Sequence, residues 1–112
     1  MVSEVPWLTV VTVVKDDLPG LEKTIRSLVG QVDLAGVEYL VVDSSENSTT
    51  VETAVKDSLL ASALFSWCEP QGIFAAMNVG LSLARGKYIY YLNAGDLLAD
   101  PQVIEDLKKT IE

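Results

Sequence analysis

Four aspartates stand where a strand could hand a carboxylate to a ligand. Trp7 to Val14 runs into Lys15-Asp16-Asp17, Val37 to Val42 runs into Asp43-Ser44-Ser45, and Tyr88 to Leu92 runs through Asn93-Ala94-Gly95 into Asp96. In an open parallel sheet ligands bind outside the carboxyl ends of the strands, so three acidic endings of this kind point to a shared site. A carboxylate placed there can accept a hydrogen bond from a base or a ribose. It can also bridge to a phosphate through a divalent cation, because hard oxygen ligands suit Mg2+ or Mn2+. Each acid has a plainer reading as well. Asp43 and Gly95-Asp96 could be turns, and a carboxylate just before a helix, as Asp17 is, is more often its cap. Asp17 is assigned to capping, and Asp16 stays open as a ligand group.

The rest of the composition narrows the chemistry. The chain of 112 residues has no histidine and one cysteine, Cys68. That removes Ser/His/Asp and Cys/His nucleophilic sites, ordinary structural zinc and any internal disulfide. A net charge of −8 argues against nucleic acid and against anionic membrane surfaces. The same acidity means that a phosphorylated ligand needs a cation or local donors, and Lys15, Arg85 and Lys87 are the nearest candidates. No glycine-rich dinucleotide fingerprint and no phosphate-cradling Gly-Lys-Ser/Thr loop follows the first strand. No stretch approaches the roughly 20 apolar residues of a membrane span, and Met1 to Pro6 do not read as a signal peptide. The expectation is a cytoplasmic protein without membrane insertion.

Strands and helices alternate along the chain. Trp7 to Val14 is β-branched and almost wholly apolar, the pattern of a central strand covered on both faces. Leu18, Leu21, Ile25, Leu28 and Val29 predict a helix from near Asp17 to about Gly30. Val37 to Val42 is the second strand, and Thr49 with Glu52 matches a capping box for a helix striped by Val51, Val55 and Leu59. Ala63 to Cys68 is a weaker strand, placed near an edge. Glu69-Pro70-Gln71-Gly72 breaks the chain before a helix whose core face is predicted from Phe74, Met77, Leu81 and Ala84. Asn78 is the one polar side chain beside Met77, free to bond the loop next to the fourth strand or to face water. Glu69 reads as a solvated loop acid. Lys87 to Leu92 is the fourth strand, and Asp100 before Pro101 opens a last helix with Ile104, Leu107 and Ile111 on one face. The order βαβαβαβα gives an α/β fold with a parallel sheet and right-handed crossovers.

These features in this order resemble the nucleotide-binding half of inverting family 2 glycosyltransferases, in particular the bacterial polysaccharide-assembly branch. The residues that carry the resemblance are Val10 to Gln31, Glu38-Tyr39-Leu40-Val41-Val42-Asp43-Ser44-Ser45, Glu69-Pro70-Gln71-Gly72-Ile73-Phe74-Ala75-Ala76-Met77-Asn78 and Leu92-Asn93-Ala94-Gly95-Asp96. The resemblance implies a Rossmann-like three-layer α/β/α sandwich with a four-stranded parallel sheet in the order 3-2-1-4, a truncated GT-A fold. It also implies a nucleotide diphosphate sugar as ligand, held with Mn2+ or Mg2+. Val13, Lys15, Asp16 and Asp43 map onto the groups that hold base and ribose, Ser44, Asn78, Asn93 and Gly95 complete the nucleotide-binding set, and Asp96 is the metal carboxylate. Asn93 stands where the family's metal element has its first acid, and Ala75 where the branch carries an aspartate. The same resemblance brings Asp16, Asp43 and Asp96 into one crevice.

The expectation is therefore one nucleotide-sugar-binding domain over residues 1–112, without the family's acceptor-binding half and with no catalytic base assigned. Two alternatives stand beside a transferase of polysaccharide synthesis. One is a non-catalytic truncated relative with an assembly role, whose unpaired edge and apolar patch predict a homodimer or higher oligomer. The other is a receiver-type phosphoacceptor domain, which needs a fifth strand and an aspartate after the third strand that this sequence does not offer.

Overall fold

The computed structural model describes residues 5–58, 60 and 63–111. Its elements are β1 Leu8–Val14, α1 Leu18–Val29, β2 Val37–Asp43, α2 Ser48–Lys56, β3 Leu64–Trp67, α3 Ile73–Leu83, β4 Tyr88–Tyr91 and α4 Val103–Ile111. The four strands form one parallel sheet in the order β3-β2-β1-β4. β1 is hydrogen-bonded on both sides and every one of its residues is buried, as its unbroken β-branched run requires.

Side chains alternate across the sheet and divide the core in two. Leu8, Val10 and Val14 pack with Leu21, Ile25 and Leu28 of α1, Val51 and Val55 of α2 and Ile104 of α4. Val11 and Val13 pack with Leu40, Val42 and Ala76 on the other face, which α3 covers. The sandwich has three layers, but three helices share one face and α3 has the other to itself.

That asymmetry overturns the predicted face of α3. Phe74 is 77% and Leu81 54% exposed, Met77 and Ala84 are half-buried, and the side turned to the sheet is Ala76 and Gly80. The helix lies too close for larger residues: a Cβ built on Gly80 would stand 2.6 Å from Val11 Cγ1 and 3.5 Å from Val42 Cγ2. The helix is apolar nearly all round, so spacing could not choose among its faces.

Two helix starts also differ from the sequence reading. α2 is capped by Asn47, whose Oδ1 accepts from the Thr50 N–H at 3.4 Å, so Thr49 lies within the first turn instead of capping it. Asp100 Oδ1 accepts from the Gln102 N–H at 2.8 Å, which makes a turn of residues 100–102 and delays α4 to Val103. Leu59 lies outside the described residues. Asp17 caps α1 as expected, accepting from the Gly20 N–H at 3.0 Å.

At the amino ends of the strands a buried acid holds the turn into β4. Glu38 Oε1 accepts from the Thr9 hydroxyl at 2.9 Å and the Arg85 N–H at 3.0 Å, and its Oε2 accepts from Arg85 Nε at 2.7 Å. Burial works to raise the Glu38 carboxyl. The bonds from Arg85 and Thr9 outweigh it and hold the group below its usual 4.5.

Two predictions follow from this packing. Gly80→Val should lower stability in denaturant unfolding by about 1 to 3 kcal/mol, the range for an overpacked core; an unchanged or raised stability would show that α3 sits elsewhere. Because the folded carboxyl of Glu38 is lowered, its contribution is complete above the unfolded value of 4.5 and is lost as pH falls through the folded one. Glu38→Gln should cost about 1 to 3 kcal/mol at neutral pH, and its gap to wild type should narrow as unfolding is measured at successively lower pH. A gap independent of pH would refute the charge-assisted role.

Candidate functional site

A crevice of about 270 Å³ opens at the carboxyl ends of the strands, on the face that α3 covers. Val13, Val14 and Lys15 from the end of β1 form one wall with Ser44, which follows β2, and Asn93 and Ala94, which follow β4. Pro70, Gly72, Ile73 and Ala76 form the other, and Asp17 stands at the rim. The first wall is made where β1, β2 and β4 end and the chain passes over the sheet edge, and the second where the turn after β3 enters α3.

The structure brings Val13, Lys15, Ser44 and Asn93 of the expected set together in this wall. Asp16, Asp43, Asn78, Gly95 and Asp96 lie outside it. Asp16 is at the same edge with φ at 52°, a left-handed conformation that aspartate adopts more readily than most residues. It is tied to the loop after β2: its N–H donates to Ser45 Oγ at 2.7 Å, and its Oδ1 accepts from the Glu46 N–H at 3.0 Å. Asp43 is fully buried. Alternation along β2 turns it away from α3, and its Oδ1 accepts from the Ser45 N–H at 3.0 Å, the Asx turn that was its plainer reading. Asp43 Oδ2 has no partner among the described residues. Ser44 points the other way, toward the crevice, with its Oγ 3.3 Å from Cys68 Sγ. Asn78 is exposed on α3.

Asn93 to Asp96 form a tight turn beside the crevice. The Asp96 N–H donates to the Asn93 carbonyl at 2.8 Å, and Gly95 takes φ of 95° at the third position, the pattern of a type II turn. The Asn93 N–H returns a bond to Asp96 Oδ2 at 3.0 Å. Under this turn a chain of hydroxyls crosses the sheet: Tyr39 donates to Thr12 Oγ1 at 2.7 Å, and Thr12 donates to the Leu92 carbonyl at 2.6 Å. Burial pushes the Tyr39 hydroxyl up to about 12 against the opposing effect of its bond to Thr12, so it stays a donor.

Asp96 itself is exposed, with one carboxylate oxygen already engaged. Among the described residues no three of His, Cys, Asp or Glu come together as a metal-ion cage. A single carboxylate fits a hard cation that keeps waters and takes its remaining ligands from phosphate oxygens.

The sequence reading did not single out the Pro70-Gly72 turn as a wall or Asp17 as a rim group. Their signal was present: a Pro-Gln-Gly break between a strand and a helix at the ligand edge, and an acid in the first loop. It also passed over Thr24, whose hydroxyl lies against the Asn93 to Asp96 turn.

Comparison with known proteins bears on the family and the fold. An uncharacterized glycosyltransferase of Mycobacterium tuberculosis, found in strains H37Rv and CDC 1551, is 27% identical over 91% of this chain. The chain spans 38% of the length of those relatives. A mannosyltransferase from Pyrobaculum calidifontis, solved with GDP-Man and Mn2+, superposes with a TM-score of 0.80 at 22% identity, over 96% of this chain and 32% of its own. The 1-349 portion of TarS from S. aureus gives 0.79 at 19% identity, over 93% and 32%. At these identities the two structures speak for the fold, which is theirs. The sequence pattern described as glycosyl transferase family 2 matches residues 9–112. A match that runs from within β1 through every element after it covers nearly the whole chain: the chain belongs to glycosyl transferase family 2.

Proposed function

We propose that this chain is the nucleotide-sugar-binding portion of a glycosyltransferase of polysaccharide assembly. The nucleotide lies in the crevice, with Lys15 and Ser44 toward its base and ribose and Asn93 toward its diphosphate, and a divalent cation links the diphosphate to Asp96. The observation that carries this reading is the convergence of Val13, Lys15, Ser44 and Asn93 on one crevice at the strand ends. The family supports the sugar-nucleotide class. The likeness to a structure that holds GDP-Man with Mn2+ supports the cation. The electrostatics ask for it too, since Lys15 is the one cation in the wall among the described residues and the chain carries −8. Mn2+ or Mg2+ would supply charge neutralisation of the diphosphate and a fixed orientation of the leaving group.

A sugar nucleotide at about 100 times its Kd adds about 2.7 kcal/mol to the folded state. UDP- and GDP-sugars should therefore be scanned for a rise in Tm with and without Mn2+. The expected result is a rise with one base, larger with Mn2+, whose metal-dependent part is absent from Asp96→Ala. No rise with any of them would overturn the proposal.

The assembly reading rests on a separate observation. β4 is an edge strand of sequence Tyr88-Ile89-Tyr90-Tyr91, without charge or proline, and Phe74, Leu81 and Leu97 are large exposed apolar residues elsewhere on the chain. Natural edges are blunted by charge or proline, and this one is not. The 112-residue chain should form a homodimer or higher oligomer, seen as a sedimentation coefficient that rises with concentration. A monomer at every concentration would remove this reading and leave the binding proposal intact.

A further inference from the structure

The Asn93 to Asp96 turn has no regular structure of its own, and the groups that hold it come from α1. Thr24 is fully buried and stands at the centre. Its Oγ1 accepts from the Gly95 N–H at 3.0 Å and donates to the Asp96 carbonyl at 2.8 Å, with the Asn93 carbonyl at 3.3 Å. One hydroxyl therefore touches three of the four residues of the turn. The Gly20 carbonyl, one helical turn earlier, accepts from the same Gly95 N–H at 3.1 Å. Further along α1 and its end, Ser27 Oγ accepts from the Leu98 N–H at 3.3 Å. Gln31 donates to the Asp100 carbonyl at 2.8 Å and accepts from the Ile104 N–H at 3.0 Å. Gly20, Thr24, Ser27 and Gln31 recur at steps of four, three and four, so they form one stripe, and each holds the next part of the segment that leads from β4 to α4.

We infer that Thr24 is the positioning residue of the Asn93 to Asp96 turn, fixing where the Asp96 carboxylate stands before any ligand arrives. This rests on the proposed role of Asp96, and it adds a residue that touches no ligand. The physical basis is that a buried hydroxyl can satisfy a donor and an acceptor of the same turn at once, and no apolar residue of that size can do either. Without it the Gly95 N–H keeps only the Gly20 carbonyl and the Asp96 carbonyl loses its bond, so the turn can rotate and carry the carboxylate with it. Ser27 acts beyond the turn and provides an internal contrast.

The test compares Thr24→Val, Thr24→Ser and Ser27→Ala with wild type. Amide hydrogen exchange of the unliganded proteins should show Gly95 protection lowered in Thr24→Val, where only the Gly20 carbonyl remains as acceptor, and kept in Thr24→Ser, with β1 protected in both. Unchanged Gly95 protection in Thr24→Val overturns the inference whether or not a nucleotide binds. Titration with UDP or GDP and Mn2+ should show affinity falling in Thr24→Val by about 10- to 100-fold, the range for loss of a group that orients a metal ligand. Thr24→Ser should recover it. The matching nucleoside monophosphate without metal should bind wild type and Thr24→Val alike, and Ser27→Ala should lose stability without losing affinity. Equal loss for diphosphate and monophosphate would mean a general structural defect and would refute positioning. Wild type that binds neither diphosphate would refute the proposed role of Asp96, while the exchange experiment still decides the part of Thr24 in the turn.

Discussion

The sheet depends on how the two threonines of β1 are satisfied. A strand buried on both faces has no water for a hydroxyl, so Thr9 and Thr12 must each find protein partners, and each finds one on either neighbour. Thr9 donates to Glu38 of β2 and accepts from the Gly86 N–H just before β4. Thr12 accepts from Tyr39 of β2 and donates to the Leu92 carbonyl just after β4. One ties the amino ends of three strands together and the other ties their carboxyl ends. A parallel sheet of valines could slip by two residues and keep its apolar faces, and these bonds make such a slip costly. They also fix where β4 ends, and hence where Asn93 enters the crevice.

Most of the architecture was legible in the sequence because it is written in apolar runs. β1, α1, β2 and the edge position of β3 follow from strand composition, helical spacing and the Asp17 cap. The misread elements are those in which a second effect competes with hydrophobicity. On α3 the helix is apolar all round, and close approach to Val11 selected Ala76 and Gly80 over Phe74 and Leu81. At α2 a capping pattern beginning at Thr49 was outcompeted by Asn47 two residues earlier. The stripe of Thr24, Ser27 and Gln31 looks like a solvent face from its residue types. It is a covered one, with Thr24 and Gln31 buried and Ser27 half-buried, because the β4 to α4 connection lies across it, and only the tertiary structure shows that.

The candidate site was half legible for a related reason. Residue type located the acids at the correct sheet edge, but it cannot tell which of two adjacent residues points into a crevice. Asp43 ends β2 and Ser44 follows it, and that one step puts the carboxylate beneath the sheet and the hydroxyl in the wall. The four acids also share a use that sequence alone did not separate from ligand binding. Asp16, Asp17, Asp43 and Asp96 each spend one oxygen on a backbone N–H, of Glu46, Gly20, Ser45 and Asn93 respectively. Edge loops of a parallel sheet are rich in unpaired amides, and short acidic side chains are the nearest acceptors.

That double use constrains the electrostatics of the edge. The exposed carboxylates of Asp16, Asp17 and Asp96 at one sheet edge, with Lys15 in the wall, make a field that repels a free diphosphate and attracts a divalent ion. If both bind as proposed, ion and nucleotide each lower the cost of binding the other, and their coupling is reciprocal in free energy. A carboxylate already bonded to the Asn93 N–H is poorly suited to hold an ion alone, yet that bond fixes its position. The same hydrogen bond that weakens Asp96 as an independent metal site would, on the proposed reading, make it a fixed point for an ion carried in on phosphate. On the proposed reading, the acidity that seems to exclude a phosphorylated ligand is the reason the ligand must come with a cation.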